Sequence, residues 1–133
     1  MRIMARIIVL HMSAVFMHAG AHDIICVEHT VHACSQAEQA CTVCSTQMMS
    51  CATSCMNCAD MCNTMMRAMM RPQGMNPASM MAMLDACIAM CQYCMDECMK
   101  HADHSEVCKM CAQSCQACMD ACMAVKDMMM KMA

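Results

Sequence analysis

The stretch CKMCAQSCQACMDAC, residues 108–122, spaces five cysteines at gaps of three, four, three and four. A helix uses that spacing for the apolar residues of its buried seam, because positions three and four apart share one face. The same phase recurs upstream, at Cys51, Cys55, Cys58 and Cys62 and at Cys87, Cys91, Cys94 and Cys98. A chain patterned this way is constrained to helices that bury their thiols against one another.

The stripes continue beyond the cysteines. The second helix reads Met48, Cys51, Cys55, Cys58, Cys62, Met65, Met69. The third reads Met80, Leu84, Cys87, Cys91, Cys94, Cys98, His101, and the fourth His104, Cys108, Cys111, Cys115, Cys118, Cys122, Val125, Met129. The preceding segment adds Cys34, Cys41 and Cys44, with Cys26 on its flank. Lys109, Gln113, Gln116, Asp120 and Asp127 fall on the opposite face.

Breaks are few, since the chain has only two Gly and two Pro in 133 residues. RPQGMNPAS at 71–79 is one: Arg67 and Arg71 suit the end of a helix, and Asn76 before Pro77 suits the start of the next. KHADHSE at 100–106 is another, where Asp103 and Glu106 have capping-box spacing. These predict helices near 78–101 and 104–131, roughly 36 and 42 Å long. Residues 23–71 hold two more of that size, with a turn best placed at Ser45-Thr46-Gln47. The heptad phase runs through that turn, so a longer unbroken helix is the alternative. The expected fold is all-α, an antiparallel four-helix bundle with a cysteine-lined core.

Residues 1–21 differ from the rest. Arg2 and Arg6 precede an apolar run that ends in Ala19-Gly20-Ala21, a small-x-small site. The pattern is that of a signal peptide, with export to the periplasm, or of a retained N-terminal helix in a cytoplasmic protein. The domain is then 22–133. The apolar run is short and broken by His11 and His18, so stable membrane insertion is not expected.

Composition narrows the function. Hydrophobic residues reach 60%, yet Trp is absent and Tyr and Phe occur once each; 26 Met and 17 Cys supply the apolar volume. Without a basic run or interleaved aromatics, nucleic-acid binding has no support. No nucleophile–base pair or phosphate loop is visible, so no enzyme is expected. Packing alone does not explain the thiols, because Ala, Val and Leu fill seams without the risk of oxidation. Three chemistries remain: a disulfide-rich structural or redox-buffer domain, zinc or general thiol-metal sequestration, and Cu(I) binding. A disulfide scaffold would be loop-rich, and seventeen is odd.

Six C-x-x-x-C pairs (51/55, 58/62, 87/91, 94/98, 111/115 and 118/122) stack thiols on one face, close enough for two to hold one ion. One monovalent ion per thiolate neutralises such a core, whereas zinc in four-thiolate sites leaves each site at about −2. Soft sulfur ligands also select Cu(I). Multiple Cu(I) ions per chain are therefore expected on the seventeen cysteines. His101 and His104 at one end, and Met48, Met65, Met69, Met80 and Met129, are auxiliary candidates; the methionine-rich end reads as a thioether mouth for Cu(I), with an apolar plug as the alternative. His22, His29 and His32 read as polar positions of the first helix.

The doubled motif, C-x3-C-x2-C-x3-C at Cys87–Cys98 and C-x2-C-x3-C-x2-C-x3-C at Cys108–Cys122, resembles the copper storage proteins. With the Cys51–Cys62 stripe, the resemblance covers about residues 41–125. It implies reversible storage of many Cu(I) ions, bound mostly by pairs of thiolates, in homo-oligomers of bundles, tetramers by that likeness.

Overall fold

The computed structural model describes residues 21–71 and 76–132, with the side chains of 21–24 and 132 left aside. Four α-helices follow one another: α1 (Ala21–Gln47), α2 (Ala52–Met69), α3 (Pro77–Met99) and α4 (Glu106–Met132), with a 3-10 turn at Met49–Cys51 between the first two. Each packs against its neighbour in sequence, and α1 packs against α4 to close the ring. This is the up-down-up-down bundle that the stripes predict. The connections are short, as antiparallel neighbours require.

The seams fall where the period puts them. Cys34, Cys41 and Cys44 of α1 are fully buried, as are the cysteine stripes of α2, α3 and α4. The core extends through Met65, Met69, Met80, Leu84 and Val125. On α4 the last seam position shifts by one residue: Met128 is buried and Met129 only partly so. A straight helix drifts about 20° per heptad against a strict seven-residue repeat, and the drift accumulates toward the helix end. Among the described helices, α3 is long and apolar enough to cross a membrane. Its seam from Met80 to Cys98 is nevertheless sealed inside the bundle.

The caps hold in one case and move in another. Asn76 accepts from the amides of Ala78 at 2.9 Å and Ser79 at 3.2 Å, and Pro77 opens α3. At α4 the cap is Ser105 and not Asp103: its Oγ accepts from the Cys108 amide at 3.2 Å, three residues on. Asp103 lies in the turn and is exposed. The α1–α2 reversal also differs from expectation, because α1 continues through Ser45-Thr46-Gln47 and breaks at Met48, whose backbone is extended. Thr42, Ser45 and Thr46 bond their hydroxyls back to carbonyls three or four residues earlier, so they add no competing turn. The reversal thus falls between two seam cysteines, Cys44 and Cys51, which keep heptad phase and meet across it at 3.5 Å.

Polar groups inside are few and satisfied. Thr30, wholly buried, donates to the carbonyls of Cys26 (2.8 Å) and Ala121 (3.2 Å), which ties α1 to α4. Asn63 donates to Glu38 at 2.9 Å between α2 and α1. Among the described residues no buried side-chain nitrogen or oxygen lacks a partner. Since apolar packing and caps close the bundle without a metal, the reduced apo protein should give a helical circular dichroism spectrum. Asn76→Ala should cost about 1 kcal/mol in denaturant unfolding, the usual worth of such a cap. A coil-like apo spectrum would contradict this account.

Candidate metal centre

Every cysteine except Cys26 is buried, and none of the sixteen buried ones is joined in a disulfide. Cys26 is partly buried, on the flank of α1 where the sequence places it. The buried sulfurs form a column along the bundle axis. Starting beside the 100–105 turn, Cys44 lies 3.9 Å from Cys108 and 4.0 Å from Cys98. Cys55 lies 3.6 Å from Cys98, 3.7 Å from Cys94 and 3.9 Å from Cys111. Cys41 reaches Cys111 at 3.5 Å and Cys115 at 3.7 Å. Farther in, Cys62 sits 3.8 Å from Cys91 and 3.9 Å from Cys118, and Cys34 sits 3.4 Å from Cys118.

Five groups of four sulfurs lie within 4.8 Å of one another. They are Cys44/Cys51/Cys98/Cys108, Cys44/Cys55/Cys98/Cys111, Cys41/Cys94/Cys111/Cys115, Cys62/Cys87/Cys91/Cys118 and Cys34/Cys87/Cys118/Cys122. Each draws on at least three helical segments. The i,i+4 pairs within a helix that the sequence emphasised contribute as well: 58/62 stand 3.9 Å apart, and 87/91, 111/115 and 118/122 each share a four-sulfur group. Most short contacts cross between helices, because side chains on a bundle seam point inward to a common axis.

These distances suit soft-metal ligation. With a metal–sulfur bond near 2.3 Å, two thiolates on opposite sides of an ion stand about 4.6 Å apart, and three around it about 4.0 Å. The column therefore needs only small side-chain adjustments to take up ions in two- or three-sulfur sites.

Protonation follows from the dry surroundings. Burial pushes Cys51 up to about 11 and also raises Cys44. Hydrogen bonds with neighbouring thiols raise Cys34, Cys62 and Cys115, and burial adds to the effect. The thiols of Cys111 and Cys115 draw Cys94 down to about 6. A thiolate beside S–H donors is stabilised, but further thiolates in the same column repel it. No Lys or Arg among the described residues is buried to offset them. Positive metal ions are the remaining means of neutralising a fully deprotonated column.

The ends of the column differ. Beside Cys51 stand half-buried Met48 and half-buried His101, whose Nε2 is 3.1 Å from the Ser50 hydroxyl. His104 is exposed, with its ring edge-on to that of His101 at 5.8 Å between centroids. At the other end Met65, Met69 and Met80 are buried with Leu84 and Val125, and Met129 lies half-buried at the rim. His29 is exposed and His32 is exposed as well, as polar positions of α1.

The profile of the copper storage protein family matches residues 18–127. Among solved structures, the chain is similar to a cytosolic copper storage protein from Streptomyces lividans described with five coppers. Identity is 30% and the TM-score 0.76, over 81% of this chain and 98% of that one. The Streptomyces lividans Ccsp loaded with 10 copper equivalents matches at 30% identity and a TM-score of 0.75, over 81% and 89% of the two chains. A histidine-to-alanine variant of that Ccsp matches at 29% and 0.74, over 78% and 94%. None of the curated proteins compared with the chain matches it.

The expectation of export to the periplasm is overturned by the likeness to a cytosolic protein. Thiols packed 3.4–4.0 Å apart in one interior are compatible with a compartment where glutathione and thioredoxin keep cysteines reduced. Of residues 1–21, on which a leader was expected, 1–20 lie outside the described residues.

Thiol counting with an aromatic disulfide reagent checks this state. Under anaerobic conditions the native protein should show one fast-reacting thiol, Cys26, and all seventeen once denatured. A lower count in denaturant would mean disulfides and would contradict a free-thiol core.

Proposed function

The chain belongs to the copper storage protein family, and we propose that it holds many Cu(I) ions at once on the thiolates of its core. The observation that carries this reading is the continuous sulfur column, with five overlapping four-sulfur groups inside one bundle. A carrier that hands over single ions needs one such group. A store needs sites that share ligands, so that filling one leaves the next within reach.

In this reading the ligands are Cys34, Cys41, Cys44, Cys51, Cys55, Cys58, Cys62, Cys87, Cys91, Cys94, Cys98, Cys108, Cys111, Cys115, Cys118 and Cys122, with Cys26 as a flanking thiol. Each Cu(I) displaces protons from the thiols it binds and cancels the charge that remains. Copper passes at the end that carries His101, His104 and Met48, where donors of intermediate strength stand next to Cys51. The packing of Met65, Met69 and Met80 supports an apolar plug at the opposite end, in place of the thioether mouth that the sequence reading favoured there. Exposed Met56, Tyr93, Met99 and Met110 offer apolar surface for a homo-oligomer, a tetramer by family likeness. The role is storage and buffering, without a catalytic step.

Anaerobic titration of the reduced protein with a Cu(I)–chelator complex tests the reading. At least about ten ions should bind per chain, since most of the thiols share one interior. Binding should weaken as pH falls: Cys51, held up to about 11, is protonated at neutral pH and must lose its proton to the solvent. The apparent affinity should fall by about tenfold per displaced proton for each pH unit. Saturation at two or three ions, or affinity that does not change with pH, would contradict storage on core thiolates.

A further inference from the structure

The four-sulfur groups divide into two sets that share no cysteine. Three groups on the His101 side are chained through Cys44, Cys98 and Cys111, and two on the methionine side through Cys87 and Cys118. Cys58 is wholly buried yet belongs to no group. Its sulfur lies 3.9 Å from Cys115 of the first set, and 3.8 Å from Cys91 and 3.9 Å from Cys62 of the second. Among the described residues, Cys58 thus stands within 3.9 Å of sulfurs of both sets, beside the one direct hydrogen bond between them, that of Cys91 with Cys115. On α1 the buried core position between Cys34, of the second set, and Cys41, of the first, is Ala37. From α1 only Cys41, of the first set, reaches Cys58, so between the sets α1 adds no sulfur of its own beyond that contact.

We propose that Cys58 is the hand-over ligand between two copper compartments, a larger one on the His101 side and a smaller one on the methionine side. The inference rests on the storage reading and adds a route through the store. Its sulfur distances of 3.8–3.9 Å to three neighbours are close to the roughly 4.0 Å of three thiolates around one ion. An ion held by Cys115 and a second first-set thiolate gains the Cys58 sulfur as a third ligand, and the Cys58 proton passes to the first-set sulfur that lets go. The ion then exchanges Cys115 for Cys91 or Cys62, and the proton of the thiol gained moves to Cys115. One Cu–S bond forms for each that breaks, protons are conserved, and copper stays monovalent throughout.

The test is stopped-flow Cu(I) loading of the full chain from a chelator donor, with chelator-driven release as the reverse. Wild type, Cys58→Ser, Cys58→Ala and Cys122→Ser are compared, with circular dichroism to show that each is folded. Cys122 lies in the outermost group of the second set, so its loss removes a ligand without cutting the route. Loss of the Cys58 sulfur should split loading into a fast phase and a slower phase that holds the smaller share of the copper. The second phase should be at least about tenfold slower than in wild type. Final capacity should fall by no more than about one ion, the share of one thiolate. Unchanged kinetics in a folded Cys58 variant, or an equal slow phase in Cys122→Ser, would overturn the hand-over role while leaving storage intact. A wild-type chain that saturates at two or three ions would instead overturn storage, and this inference with it.

Discussion

The contact between uncharged thiols in a dry bundle interior is what the rest of the structure depends on. A neutral S–H buries almost as readily as a small aliphatic group, so the apo chain can fold around its ligands. The same groups become costly once ionised, because an isolated charge in an apolar interior is strongly disfavoured. Between these two facts the core has a stable empty form and a stable filled one. A column of thiolates without cations is the form that burial and mutual repulsion exclude. Loading thus becomes an exchange of protons for soft cations, in which the bundle need not open.

That exchange explains how the rest of the chain is composed. With most of each seam given to cysteine, shape has to come from elsewhere. Thr30 pins α1 to α4 through the Ala121 carbonyl, Asn63 joins Glu38, and Lys126 pairs with Asp85 at 2.6 Å on the surface. The surface pair contributes little by itself. Methionine fills the remaining space, and its flexible thioether adapts to a core whose sulfurs have to shift as ions enter. Leu84 and Val125 close the column beyond Cys87 and Cys122 with atoms that bind no metal.

Much of this was legible in the sequence, because a 3-4 spacing of cysteines admits one secondary structure and one face. Asn76-Pro77 marked the start of α3 because both residues act locally. The reversal at Met48 was legible only to within a residue or so, at Ser45-Thr46-Gln47, and with an unbroken helix as the alternative, because it uses neither Gly nor Pro and keeps the heptad phase across the bend. Ser105 was passed over in favour of Asp103, since both can cap and only the path of the chain decides between them. Spacing along one helix gives distances within that helix, so the cross-helix groups and the position of Cys58 between two of their sets could emerge only once four seams were set side by side. The plug of Met65, Met69 and Met80 likewise depends on which helix ends meet, and on how completely they cover one another.

The central claim is that copper resides inside the bundle, on the sulfur column. Anomalous diffraction at the copper edge from crystals of the fully loaded protein measures this directly. The account predicts a row of copper peaks along the bundle axis, each within about 2.3 Å of cysteine sulfurs from facing helices. Peaks confined to surface histidines and methionines, with an empty cysteine interior, would contradict it.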